Sequence, residues 1–406
     1  MKRGFVKQVA SFFAFLCVVF IPFPFNITKV QSPVTDFIFG RLIGLVAENV
    51  FGKKLPDTHV HSDTFSMYIL VLLLFIFAII ISLLLLRIKK WSLYQDRFFV
   101  FFYQLFFYYL ALQLLKYGLD KIFKNQFYIP EPNTLYTPLG RISKGLLYWS
   151  SMGVSHFYNV FLGSLEALAA ICILIKRTRL VGLLISLVVM LNVVAVNFGF
   201  DISVKLYSLF LLYLTIYLLA PYFSRLYRLL LQKAGTFIPA SDPVVLFRNS
   251  FLSAFLKWLV AGIICVETFY PFIKTKNFNG DLAERPYLHG AYQVKQVIAG
   301  TDTLAAKDSP VKRFFIHRMG YMIFQDQEDN MQDYKLGYDK DSAVFILTDY
   351  QLHRILVPFT YRSSDSILTI QYSKNGKEYK LAGKALDWRK LPAVKKRFHW
   401  TSDEGE

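Results

Sequence analysis

The chain has 406 residues, of which 54% are hydrophobic, 17% aromatic and only 18% charged. That balance excludes an ordinary soluble domain of this size and predicts a polytopic membrane protein. The surplus of 46 Lys and Arg over 28 Asp and Glu would suggest nucleic acid in a soluble protein, but much of it sits in short clusters between apolar runs, as the positive-inside rule requires, so the expected partner is the lipid bilayer and not nucleic acid.

Seven apolar runs approach the length of about 20 residues that crosses the hydrocarbon core as a helix. The first, roughly Val9 to Phe25, follows the basic start "MKRGFVK"; no small-x-small cleavage site follows "IPFPFN", which favours an uncleaved anchor over a signal peptide. Next, "SPVTDFIFGRLIGLVAENVFG" has apolar residues at helical spacing, as expected of a helix in the membrane interface or one packed on the bundle. The second span, Met67 to Leu86, stops at "RIKKW", and the third, about Phe98 to Phe123, is loaded with Phe and Tyr. The fourth, about Phe157 to Ile175, ends at "KRTR", before the fifth, Leu180 to Phe200. The sixth is about Leu206 to Phe223 and the seventh about Phe251 to Phe272.

Orientation follows from the cations. Lys2, Arg3 and Lys7, then Arg87, Lys89, Lys90 and Arg97, then Lys176, Arg177 and Arg179, then Arg225, Arg228, Lys233 and Arg248 mark one side, which is read as cytoplasmic. Seven crossings then put the amino terminus inside, and everything after Phe272 outside. From about Lys274 the chain turns polar, and "AYQVKQVI", "RFFIHRMGYMIF", "SAVFILT", "SILTIQYS" and "KEYKLAGKAL" read as antiparallel strands between turn signals. The expected architecture is an all-α transmembrane bundle over residues 1–273 and a small all-β, lipocalin-like extracytoplasmic domain over residues 274–406, with an immunoglobulin-like sandwich as the alternative. Cys17, Cys172 and Cys265 fall in apolar runs without a CxxC spacing, which argues against thiol chemistry and thiolate metal sites.

Some residues are costly where they stand. A carboxylate such as Glu166, near the middle of the fourth span, costs at least about 2.5–3.5 kcal/mol on an isolated helix. Asn192 has a comparable depth in the fifth span, and Asn197, Asp201 and Lys205 lie progressively nearer the outer surface. Asp201 and Lys205 have the spacing of a helix-face pair. Lys116, Tyr117, Asp120 and Lys121 end the third span. All these groups can meet at one level and line a polar pocket. The competing reading is that Glu166 and Asn192 only bridge helices.

The ordered series "YGLDKIFKNQF", "SSMGVSHFYNVFLGSLEALAAICILIKRTRLVGLLISLVVMLNVVAVNFGFDISVKLYS" and "LLAPYFSRL" resembles the DoxX-like family, whose smaller members are four-helix membrane proteins, over roughly residues 97–230. By position, the family pattern falls on Tyr117, Gly118, Lys121, Gly153, Tyr158, Gly163, Glu166, Arg177, Thr178, Asn192, Asn197, Phe198, Asp201 and Lys205. Lys176 stands where long members often have Arg, "DISVK" lacks the proline of their "DVPVK", and "RFHW" is followed by "TSDEGE" in place of Asn-Glu, which weakens any role for His399 or Trp400. Some members of the family are membrane subunits of thiosulfate:quinone oxidoreductases and others belong to complexes handling thiol oxidative stress, so the resemblance implies an inner-membrane protein that could serve as the membrane subunit of a quinone-linked redox system. Lys121, Glu166, Asn192 and Asp201 would then hydrogen-bond the quinone, and Phe106, Tyr109, Tyr117 and Phe198 would flank its ring. The chain carries no dinucleotide, haem or cysteine-cluster motif, so the electron donor would be a partner subunit. The other class is a non-enzymatic scaffold or binding protein whose outer β-domain binds a protein, lipid or small ligand.

Weaker signals remain. "PDTHVHSD" places His59 and His61 near Asp57 and Asp63 without a third ligand in view, so no metal is expected. "NIT" at Asn26 matches a glycosylation triplet by chance. His289, His317 and His353 read as ordinary surface or core residues.

Overall fold

The computed structural model describes residues 2–23, 25, 27, 29–232, 250–300, 302–305, 308–339, 342–374, 377–395 and 400–401; Asn26, Lys233, Arg248 and His399 lie outside them. Two compact units emerge: residues 1–126 with 157–278, and residues 127–156 with 279–406. The boundary expected at 273 and 274 falls close to the second junction, but the internal segment 127–156 groups with the β-domain.

The first unit is helical: α1 (Lys2–Phe20), α2 (Gln31–Asn49), α3 (Phe65–Leu86), α4 (Trp91–Ile122), α7 (His156–Leu174), α8 (Arg179–Gly199), α9 (Lys205–Leu219), α10 (Phe223–Leu230) and α11 (Ser250–Thr275). Among the described residues, six stretches are long and apolar enough to cross a membrane, namely α3, α4, α7, α8, α9 with α10, and Ala254–Leu282, which overlaps most of α11. Of the seven expected spans, the first is not among these six, because its apolar helix runs only from Gly4 to Phe20. Within α2, Thr35, Phe39, Ile43 and Ala47 are buried at four-residue intervals while Phe37 is 90% exposed. The helix thus packs on the bundle by one face and leaves apolar residues exposed on the other, an arrangement compatible with both readings of its periodicity.

Aromatic side chains fill this core. Phe106 and Phe107 are fully buried, and tyrosine hydroxyls tie helices together: Tyr103 donates to the Leu218 carbonyl at 2.6 Å and Tyr213 to the Ala10 carbonyl at 2.8 Å. A buried hydroxyl needs such a partner, so these tyrosines fix helix register as well as supply apolar area.

The second unit is a closed barrel. Its strands are β1 (Gly290–Ala299), β2 (Asp302–Leu304), β3 (Arg313–His317), β4 (Tyr321–Gln325), β5 (Met331–Asp339), β6 (Val344–Thr348), β7 (Arg354–Arg362), β8 (Ile367–Lys374) and β9 (Lys377–Leu386). Eight of them run up and down in sequence order from β1 through β3 to β9, and β9 pairs antiparallel with β1 to close the ring, while β2 folds back on the end of β1. Closure removes the free edges, and the up-and-down order fits the lipocalin-like expectation rather than the sandwich. Its interior is solid: Val297, Phe314, Phe345, Leu347, Val357, Leu368, Ile370 and Leu381 have no exposed surface. Gly383 makes room for this filling, since a Cβ there would lie 2.5 Å from the Phe314 ring. Segment 127–156 carries α5 (Pro132–Leu135) and α6 (Lys144–Val154). It covers an outer patch of the barrel, where Tyr136 stacks on Phe315 and Ile129 N–H donates to Asp281 at 2.7 Å.

Candidate functional site

Two glycines set the geometry of the helical unit's most costly pair. A Cβ on Gly118 of α4 would lie 2.8 Å from the Gly163 carbonyl, and one on Gly163 of α7 would lie 2.5 Å from the Gly118 carbonyl. Only hydrogen fits, so the two backbones touch. One turn further along each helix, the Lys121 Nζ donates to both Glu166 oxygens, at 2.9 and 2.7 Å. Both residues are buried, at 7% and 4% exposure. Neither charge could stay alone in hydrocarbon; together they form a neutral, doubly hydrogen-bonded unit. Tyr117 lies alongside, with the Lys121 ammonium 5.6 Å from its ring centre.

Around that pair runs a polar and aromatic layer. The Lys116 ammonium sits 4.5 Å from the Phe23 ring centre, within electrostatic reach of Glu267 and Asp120. Phe23 stacks on Tyr207 at 5.0 Å, and Tyr207 and Tyr109 share a 3.0 Å hydrogen bond. Asn197 is buried, and its Nδ2 has no partner among the described residues.

The structure therefore brings Tyr117, Lys121 and Glu166 together and divides the rest. The expectation that Asn192 faces inward beside Glu166 is overturned: Asn192 is exposed. Helical phase is the reason. The inward positions of α8 include Ser186, Met190 and Asn197, and two residues beyond Met190 the helix has turned by about 200°. Phe198 is likewise 54% exposed and flanks no inner ring. Asp201 and Lys205 do pair, at 2.7 Å, but the Asp201 side chain is 82% exposed and so does not line an inward pocket. They bridge the break between α8 and α9 instead of lying on one continuous helix, with Asp201 in the left-handed region at φ 53°.

Replacing Asn192 by Leu is accordingly expected to leave thermal stability in detergent within about 0.5 kcal/mol of the parent, checked by a melting curve; a loss as large as that from opening the ion pair would restore Asn192 to the core.

Sequence reading missed three polar contributors. Asp63 caps α9, accepting the N–H groups of Lys205 and Leu206 at 2.7 and 3.0 Å, a role across 142 residues that local pattern does not reveal. Glu267 is 5% exposed on α11 and accepts the Ile27 N–H at 3.2 Å. The insertion cost that singled out Glu166 applies equally to "IICVETFY" and was the available signal. The third lies in the barrel unit: His289 Nε2 and Glu131 Oε2 are 2.6 Å apart, with side chains 5% and 2% exposed. The Arg318 N–H also donates to Glu131, at 3.2 Å. His59 pairs with Asp36, and no group of three metal-ligating side chains occurs among the described residues.

Burial works against the charge on Glu131, but the hydrogen bond and charge of His289, with help from His317 and the Arg318 N–H, hold its carboxyl below the usual range. Burial holds His317 below the ordinary imidazole value. Both shifts have one sign. A depressed pKa means that the folded state binds fewer protons than the unfolded state, so stability is lost as pH falls. The barrel unit is expected to weaken from about pH 6.5 as His317 is forced to charge, and further below about 4.5 as Glu131 protonates. Glu131→Gln should flatten the lower part of a stability–pH profile followed by near-ultraviolet circular dichroism; an unchanged profile would remove Glu131 from this account.

No family model matches the chain, and no solved structure matches it. Among curated proteins, it is 35% identical over 112 residues to the uncharacterized protein YwoB of Bacillus subtilis (strain 168), an alignment covering 27% of this chain and 70% of that protein.

Proposed function

We infer a role for this chain, which belongs to the same family as the Bacillus subtilis protein YwoB, from how its helical unit uses its charges. It is a multi-pass inner-membrane protein of DoxX-like type that works as a scaffold or binding protein: the helices anchor it and the barrel unit is held out to a partner. The observation that carries this reading is the closed Lys121–Glu166 pair. An acid and a base that saturate one another across a glycine contact are spent on helix packing and not offered to a ligand. The barrel's filled interior supports the same reading, because recognition then falls to its outer surface.

Topology supports an extracytoplasmic barrel. Segments 127–156 and 279–406 form one compact unit and must lie on one side of the bilayer. The helices between them, α7, α8, α9 with α10, and α11, make four crossings, an even number. With α1 as a further crossing and the cations inside, that side is the periplasmic one.

A quinone-linked redox role with a partner subunit as electron donor is the second reading. The buried Asn197 amide, whose Nδ2 lacks a partner among the described residues, favours it, since a quinone carbonyl would accept that N–H. Solvent extraction of protein purified in native lipid decides between them. The scaffold reading expects no stoichiometric quinone; bound quinone that disappears in Asn197→Ala, with the melting curve intact, would replace it with the redox reading.

A further inference from the structure

We propose that the cleft beside the start of β1 in the barrel unit binds a small carboxylate with an apolar body, held by His289 and Arg389. The cleft has a volume of about 260 Å³ and is walled by Leu288, Tyr292, Tyr361 and Trp388, with His289, Asp387 and Arg389 as its charged or ionisable members. That space corresponds to roughly nine atoms of water size, enough for a carboxylate on a short aliphatic or aromatic stem.

His289 is built for a fixed task. Its Nε2 is engaged by the buried Glu131 carboxylate at 2.6 Å, its ring meets Trp388 edge to face at 6.0 Å, and its backbone N–H is bonded to the Pro286 carbonyl at 3.1 Å. Orientation by a carboxylate on one nitrogen leaves the other, Nδ1, as the ring's remaining polar atom. Protonated there, the imidazole is flanked by an anion on one side only, and a bound carboxylate would complete it with a second charge-assisted hydrogen bond.

Arg389 supplies the second cation. Its guanidinium carbon lies 4.5 Å from the Trp388 ring centre, close enough for a cation–π contact, and a guanidinium fork suits a planar oxyanion. The acid in the lining does not compete strongly, because Asp387 is paired with Lys390 at 2.9 Å. Two donors, one neutralised acid and aromatic walls select a negative, planar head on an apolar stem over a cation or a neutral sugar. This site lies wholly within the barrel unit and does not depend on the scaffold reading of the helices.

The test is isothermal titration calorimetry on the full chain in detergent, with 3-phenylpropionate against its neutral isostere 3-phenylpropionamide. The expected result is saturable carboxylate binding, at least tenfold weaker binding of the amide, and at least tenfold loss of carboxylate affinity in both His289→Gln and Arg389→Gln. Arg389 is exposed, so its variant reports on binding even if the His289 variant melts early. No saturable binding at millimolar concentration, equal affinity for the amide, or an Arg389→Gln variant that binds as the parent would each overturn the proposal.

Discussion

Glu166→Ala is expected to destabilise the helical unit by about 3–5 kcal/mol, the range for removing one partner of a buried ion pair. The loss is large because it strands the Lys121 ammonium, 7% exposed, without the carboxylate that accepts its two hydrogen bonds. Lys121→Ala should cost a similar amount by stranding Glu166. The double variant Lys121→Met, Glu166→Leu should recover most of the loss, since apolar replacement of both members removes the desolvation penalty along with the bond. Melting curves of the parent, Lys121→Met, Glu166→Leu and the double variant in one detergent form a double-mutant cycle. Losses that simply add would mean that the 2.7 Å contact contributes no coupling, and the scaffold reading would lose its support.

The second large effect concerns the glycine contact. Gly163→Ala should lower stability by about 1–3 kcal/mol, the range for overpacking, although alanine is the better helix former. Its methyl would lie 2.5 Å from the Gly118 carbonyl and 3.0 Å from the Ile122 nitrogen, and backbone atoms cannot swing aside as a side-chain tip can. The two helices must separate, which also pulls Lys121 from Glu166. Gly199→Ala is the matched control: it meets nothing within 4 Å and should be neutral or slightly stabilising. If Gly163→Ala behaved like the control, the close approach of α4 and α7 would not be a feature of the molecule.

The fold was more legible in the sequence than the site. Spans with a uniform apolar surface, such as α3, announce themselves by composition alone, and the cost of burying Glu166 pointed straight to a partner. What the sequence withheld was phase and long-range capping. Asn192 and Asn197 lie in the same apolar run, yet only Asn197 points inward, because five residues carry a helix well past one full turn. In the barrel, β5 and β7 escaped notice since "MQDYKLGYD" and "RILVPFTYR" mix polar residues and a proline into their alternation. The Glu131–His289 pair joins positions 158 residues apart, so nothing in the local pattern of either residue reveals it.

The barrel unit draws on chain from before α7 and after α11. During synthesis, residues 127–156 emerge first and wait while four helices are inserted. Until then Glu131 has no His289 and Ile129 no Asp281. The unit is completed last, and it can close only after both of its segments are available together. A protease-resistant barrel fragment would therefore report on completed assembly, whereas chains halted before α11 would leave Glu131 without His289.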